Sequence, residues 1–235
     1  MGGSFFLGPF LDGTIIIMIP VFIFVFYAQS KVKSNYAKYS QVRTRNNVTG
    51  AEAARQLLDQ AGLQNVKIEM TRGNLDDHYD PRTKVIRLSP DVYQRPTVAA
   101  LGIAAHETGH AIQHAHGYFF LNLRNSFFPV ASIGSRMAMP LFFIGLIFAA
   151  GGGLLMDIGI GLYMFAVAFQ IITLPVELNA SNRAVELLDV GGFLQGTEAA
   201  GVKKVLNAAA LTYVAAMAVA LATLLRMFLL RGRRS

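Results

Sequence analysis

The segment His106-Glu107-Thr108-Gly109-His110 sets two imidazoles four residues apart with a carboxylate between them. On a helix, positions i and i+4 share a face. Two rings at that spacing can hold one zinc ion, and the intervening Glu107 is then placed to act on water at the metal. Apolar residues precede the motif (Val98, Leu101, Ile103), and small ones lie within and beside it (Ala104, Ala105, Gly109), as in a closely packed helix. The plain alternative is a pair of solvated histidines on one helix. A catalytic zinc takes three protein ligands and a water, so one ligand must come from outside the motif.

Four residues compete for that position. His116 stands ten residues after His106, the metzincin offset, but that motif needs glycine where Gln113 stands. His114 shares a face with His106, yet eight residues at 1.5 Å each place it about 12 Å along the axis. Asp189, in Leu188-Asp189-Val190-Gly191, resembles the aspartate ligand of site-2-type intramembrane proteases. Those hold the motif inside a span, and here only 11 residues separate Arg95 from Glu107, too few to cross. Glu177 directly follows an apolar window, in Pro175-Val176-Glu177-Leu178-Asn179-Ala180-Ser181-Asn182-Arg183-Ala184. Its alternative reading is a solvated charge at a membrane boundary. His78, Tyr93 and Arg183 are candidates to stabilise a developing oxyanion, and Arg183 equally suits a carboxylate partner. His78-Tyr79-Asp80 could instead support the ligands from behind, with Asp80 orienting an imidazole. Val85-Ile86-Arg87-Leu88 reads as a strand that either offers an edge to an extended substrate or is buried.

These residues need elements to hold them. The chain has 235 residues, 53% hydrophobic and 15% charged, where about 25% charged is usual. Of its 21 basic and 14 acidic residues, 21 fall between Lys31 and Arg124. Gly13–Ser30, Met137–Met156, Ile158–Val176 and Val205–Leu225 carry no charge. Each suits a membrane span, which takes about 20 apolar residues. The expected architecture is a mainly α membrane protein with about four transmembrane helices and a small α+β, zincin-like insert after the first. Residues 1–30 are expected to form an anchor, 31–125 the insert, 126–176 a transmembrane hairpin, 177–204 a helix that opens with the third-ligand candidate Glu177, and 205–235 a last span with a basic tail. Under any four-span arrangement the hairpin returns Glu177 to the side of the motif helix.

Within the insert, Thr49-Gly50-Ala51-Glu52 is a capping box that starts a helix ending near Gly62. Val66–Met70 alternates like a strand, Thr71–Pro81 reads as a loop, and Thr97 caps a helix running to about Gly117. Tyr118, Phe119, Phe120, Phe127 and Phe128 suit either a membrane interface or a core. Gly151-Gly152-Gly153 predicts a tight turn, Pro175 the end of the third span, and Gly191-Gly192 a break before the fourth.

The absence of cysteine excludes a disulfide scaffold, a thiolate metal site and a cysteine nucleophile. Net charge is +7, much of it flanking spans: Lys31, Lys33, Lys38, Arg43 and Arg45 after the first, and Arg231, Arg233 and Arg234 at the end. That placement suits anionic lipid headgroups rather than nucleic acid. No basic residue precedes the first window, and no small-residue cleavage site follows it, so a retained anchor is expected over a cleaved signal peptide. Met1–Phe6 fails the myristoylation pattern at Phe6. Bases near the spans are more numerous on the insert side, where Arg124, Arg136, Lys203 and Lys204 add to the first five. The positive-inside rule then turns the insert to the cytoplasm. The C-terminal arginines oppose this unless the last helix lies along the surface.

The chain resembles the YugP-type membrane neutral zinc metallopeptidases. The resemblance runs through Asp77-His78-Tyr79-Asp80-Pro81, Val85–Ser89, His106–Gly117 and Pro175–Ala184, and it covers most of the chain. That family is similar to gluzincins. The resemblance implies His106, His110 and Glu177 as ligands of Zn2+, and Glu107 as general base. It implies a membrane-embedded endopeptidase that cuts membrane or unfolded proteins near the bilayer surface, with the lipid bilayer and a protein or peptide substrate as partners. Two other readings stand beside it: a site-2-like intramembrane protease, and a scaffold or transporter with a structural metal. A structural site has no use for Glu107 between its ligands.

Overall fold

The computed structural model describes residues 13–148 and 152–233. Met1–Phe6, Gly151 and Arg234 lie outside these, and with them the myristoylation pattern, part of the triple-glycine turn and part of the basic tail. The described residues are 75% helical and include four candidate membrane-spanning helices and a small three-stranded sheet after the first. A 3-10 turn at Gly13–Ile17 leads into α1 (Met18–Tyr39). Then come α2 (Gly50–Gln60), β1 (Lys67–Met70), β2 (His78–Asp80), β3 (Val85–Leu88), α3 (Pro90–Gln94) and α4 (Val98–Ala115). Three long helices complete the chain: α5 (Phe119–Ile147), α6 (Gly153–Val190) and α7 (Glu198–Gly232). The candidate spans are α5, α6, α7 and Gly13–Tyr39, which joins the opening turn to α1.

Two boundaries differ from the sequence reading. The window Met137–Met156 is not one helix, because α5 ends at Ile147 and α6 begins at Gly153. α5 instead starts at Phe119 and includes Arg124 and Arg136. The charge-free window runs across the break because lack of charge marks apolar composition, not helix continuity; Gly152 lies in a turn there, where the glycines predicted one. Pro175 does not end the third helix either. α6 continues through it to Val190, as a proline's lost hydrogen bond permits when neighbouring groups satisfy the freed carbonyl.

The chain divides into two compact units. One comprises the described residues among 1–27, 123–174 and 212–235. Its core joins Phe142 and Leu146 of α5, Met156 and Ile160 of α6, and Met227 and Leu230 of α7. Glycine lets α5 and α6 approach: a Cβ at Gly159 would lie 2.8 Å from the Ala138 carbonyl oxygen. Arg231 clasps Asp157 through Nε and Nη2, at 2.7 and 3.0 Å.

The other unit comprises residues 28–122 and 175–211. The capping box forms as the sequence predicts: Thr49 Oγ1 accepts from the Glu52 N–H, and Glu52 Oε2 accepts from the Thr49 N–H at 2.8 Å. The sheet order is β1-β3-β2. β3 pairs in parallel with β1 (Lys67 opposite Val85) and antiparallel with β2 (Tyr79 opposite Ile86). Val85–Leu88 is therefore the central strand, not an edge. Its buried Val85, Ile86 and Leu88 explain why: a strand that apolar occupies the middle, where both edges are hydrogen-bonded.

α4 lies between two apolar clusters and feeds both. Val98, Leu101 and Ala105 pack with Leu57, Leu188, Phe193 and Leu206. Ala100, Ala104 and Ala111 pack with Leu58, Val66, Ile86 and Leu88. A helix covered on two sides is held firmly, which suits it to carry a rigid site.

Candidate metal centre

Thr97 caps α4, its Oγ1 accepting from the Ala100 N–H at 3.3 Å. Three turns later the helix presents His106 and His110 on one face, their rings edge to face with centroids 4.7 Å apart. α6 packs alongside. Gly109 makes this possible, since a Cβ there would fall 2.9 Å from the Ala180 carbonyl oxygen. The close crossing brings Glu177 to the histidines: its Oε2 lies 3.3 Å from His106 Nε2 and 3.4 Å from His110 Nε2. Ligand atoms of His106, His110 and Glu177 all fall within 4.8 Å of one another.

This donor set fits a divalent metal of zinc type. Two imidazoles and a carboxylate match one known catalytic zinc arrangement. Zinc bonds of about 2.0–2.1 Å at tetrahedral angles separate neighbouring ligand atoms by about 3.3 Å, close to the distances found. Direct charge-assisted hydrogen bonds would be shorter, about 2.7–2.9 Å. Both imidazoles are also held from behind. Ser181 Oγ meets His106 Nδ1 at 3.2 Å, and Gln113 Oε1 meets His110 Nδ1 at 3.0 Å. Each ring thus keeps Nε2 toward Glu177.

Glu107 is buried, and burial pushes its carboxyl up to about 7. His106 opposes that shift, the charges of Glu177 and Asp77 add to it, and the Tyr79 N–H, which reaches the carboxyl, opposes it again. β2 therefore runs next to Glu107. Its placement has visible causes. Asp77, just before β2, accepts from the Ser89 N–H at 2.7 Å and from Ser89 Oγ at 3.0 Å. Tyr79 Oη meets His114 Nδ1 of α4 at 2.9 Å.

Other residues singled out in the sequence lie elsewhere. His116 is exposed just past the end of α4, and Asp189 is exposed near the end of α6. His114 is engaged by Tyr79. Asp80 orients no imidazole; it accepts from the Arg82 N–H at 2.9 Å and from Thr83 Oγ1 at 2.8 Å, and so closes the β2–β3 turn. His78 Nδ1 meets the Asp76 carbonyl at 2.9 Å. Alternation along a strand sends His78 to the face opposite Tyr79. Tyr93 lines a separate cleft of about 640 Å³ with Thr49, Arg55, Ile68 and Gln94. Arg183 binds no carboxylate through Nε, which donates instead to Asn179 Oδ1 at 2.8 Å. Sequence reasoning missed Gln113 and Ser181 as supports. Gln113 stands three residues after His110, a spacing at which helical side chains meet.

The chain matches the family described as "Putative neutral zinc metallopeptidase" over residues 14–232. It is 50% identical over 210 residues to "Putative membrane protease YugP" of Bacillus subtilis (strain 168), covering 88% of this chain and 92% of that protein. No solved structure matches it. Zinc is the cofactor that this family implies. Given that match along nearly its whole length, the chain belongs to the neutral zinc metallopeptidase family.

Proposed function

We propose that this integral membrane protein is a zinc-dependent endopeptidase that hydrolyses peptide bonds of membrane or unfolded proteins near the bilayer surface. The observation that carries the reading is the convergence of His106, His110 and Glu177 with a buried Glu107 beside them. His106, His110 and Glu177 would hold the metal. Zinc bound there would supply Lewis acidity and lower the pKa of a water that it binds. Glu107 accepts a proton from the attacking water and later hands it to the departing amine.

The substrate edge passes from β3 to β2. β3 has partners on both sides, while β2 pairs on one side only, and its Tyr79 N–H reaches Glu107. An extended peptide added along β2 would lie beside the proton-transfer group. Of the three oxyanion candidates, Arg183 alone connects to the centre, through Asn179 and Gln113. The intramembrane reading loses ground because α4 is not among the four candidate spans.

The test is cleavage of an unfolded protein by detergent-purified enzyme, with one zinc quantified per chain. Glu107→Gln should slow cleavage by about 10²–10⁴-fold with zinc still bound. Equal rates would remove Glu107 from the mechanism. Loss of zinc from Glu177→Gln is expected as well, and full zinc occupancy in that variant would remove it from the ligand set.

A further inference from the structure

Gln113 has no solvent exposure, a costly place for an amide unless every polar atom is used. Its Nε2 donates both hydrogens, to the Val176 carbonyl at 2.9 Å and to Asn179 Oδ1 at 2.9 Å. Asn179 is itself fixed as an acceptor, because Arg183 Nε donates to the same oxygen. The amide therefore has one orientation that satisfies all partners, and that orientation aims Oε1 at His110 Nδ1. A carbonyl oxygen only accepts, so Nδ1 carries the hydrogen. A neutral imidazole has one N–H, which leaves the lone pair on Nε2, the atom facing Glu177. A flipped amide would face Nδ1 with a donor, and Nε2 would become an N–H unable to ligate. The second acceptor of Gln113, the Val176 carbonyl, belongs to the residue before Glu177.

We propose that Gln113 is the positioning residue of the metal centre: through Asn179 and Arg183 it sets the His110 tautomer, and through Val176 it ties the Glu177 segment of α6 to α4. This rests on the ligand assignment proposed above.

The test uses the full chain in detergent, labelled with ¹⁵N-histidine and freed of metal, at a pH where the imidazoles are neutral. Histidine nitrogen shifts report which nitrogen bears hydrogen, a readout that general loosening of the fold does not dictate. Zinc affinity is measured in parallel by competition with a chelator. Wild type should show His110 as the Nδ1–H form. Gln113→Met, similar in volume but without the amide, should shift His110 toward Nε2–H and weaken zinc binding by about 10–100-fold. Asn179→Ala should move both in the same direction, while Asn179→Asp, which keeps the acceptor, should retain the wild-type tautomer. Asn179 is only partly buried, so this pair decides the matter if Gln113→Met does not fold. An unchanged tautomer with affinity within about twofold of wild type in Gln113→Met or Asn179→Ala overturns the proposal alone. Wild type that binds no zinc overturns the ligand assignment and this proposal together.

Discussion

Glu107 is under opposing demands. Its burial favours the neutral acid, while its proposed task needs the carboxylate. A cation beside it favours the ionised form, so metal removal should expose the conflict. In the metal-free fold its pKa is about 7, above the ordinary 4.5. The folded state then binds more protons than the unfolded state between those values, and stability falls as pH rises from about 4.5 through 7. Glu107→Gln has no charge to bury. In chelator-treated protein the variant should gain on wild type between pH 5 and pH 8, by up to about 3 kcal/mol at 1.36 kcal/mol per unit. Denaturant unfolding in detergent at the two pH values measures this, and a constant difference would contradict it. His106, Glu107 and His110 were legible because their relation is local to one helix. Asp80 and Tyr93 were not, because a polar side chain's partner depends on how the chain folds back. Asp80 turns to its own hairpin, and Tyr93 to the cleft beside α2.

At the scale of elements, the centre depends on how closely α4 and α6 cross. Gly109 sits at that crossing, with no room for a Cβ against Ala180. Gly109→Ala should push the helices apart, cost about 1–3 kcal/mol as overpacking does, and weaken zinc binding as Glu177 moves away. Gly161→Ala is the control, because its Cβ would meet nothing within 4 Å; it should leave zinc affinity unchanged. Equal behaviour of the two variants would deny the crossing its role. The strands show a different limit of sequence reading. The mainly apolar segment Val85–Leu88 identifies a strand, but its place between β1 and β2 follows from a crossover that no short window contains.

For the whole molecule, the sequence expectation turns the α+β unit to the cytoplasm of a bacterial-type cell, following the basic residues around Lys31–Arg45. A chain without cysteine lends itself to a direct check. Lys67→Cys, exposed on β1, should resist a membrane-impermeant maleimide in intact spheroplasts and react after lysis. Arg233→Cys, beyond the last span, should react before lysis; the reverse pattern would invert the topology. The sequence alone determined the apolar stretches, the polar insert and the motif helix, because composition and i, i+4 spacing are properties of short segments. Only the tertiary structure decided what completes the centre. Gln113 reaches Val176 across 63 residues and Ser181 reaches His106 across 75. The separate segments meet because α4 and α6 bury their apolar faces against one another, and a glycine at the crossing lets the backbones come close enough for Glu177 to stand beside the two histidines.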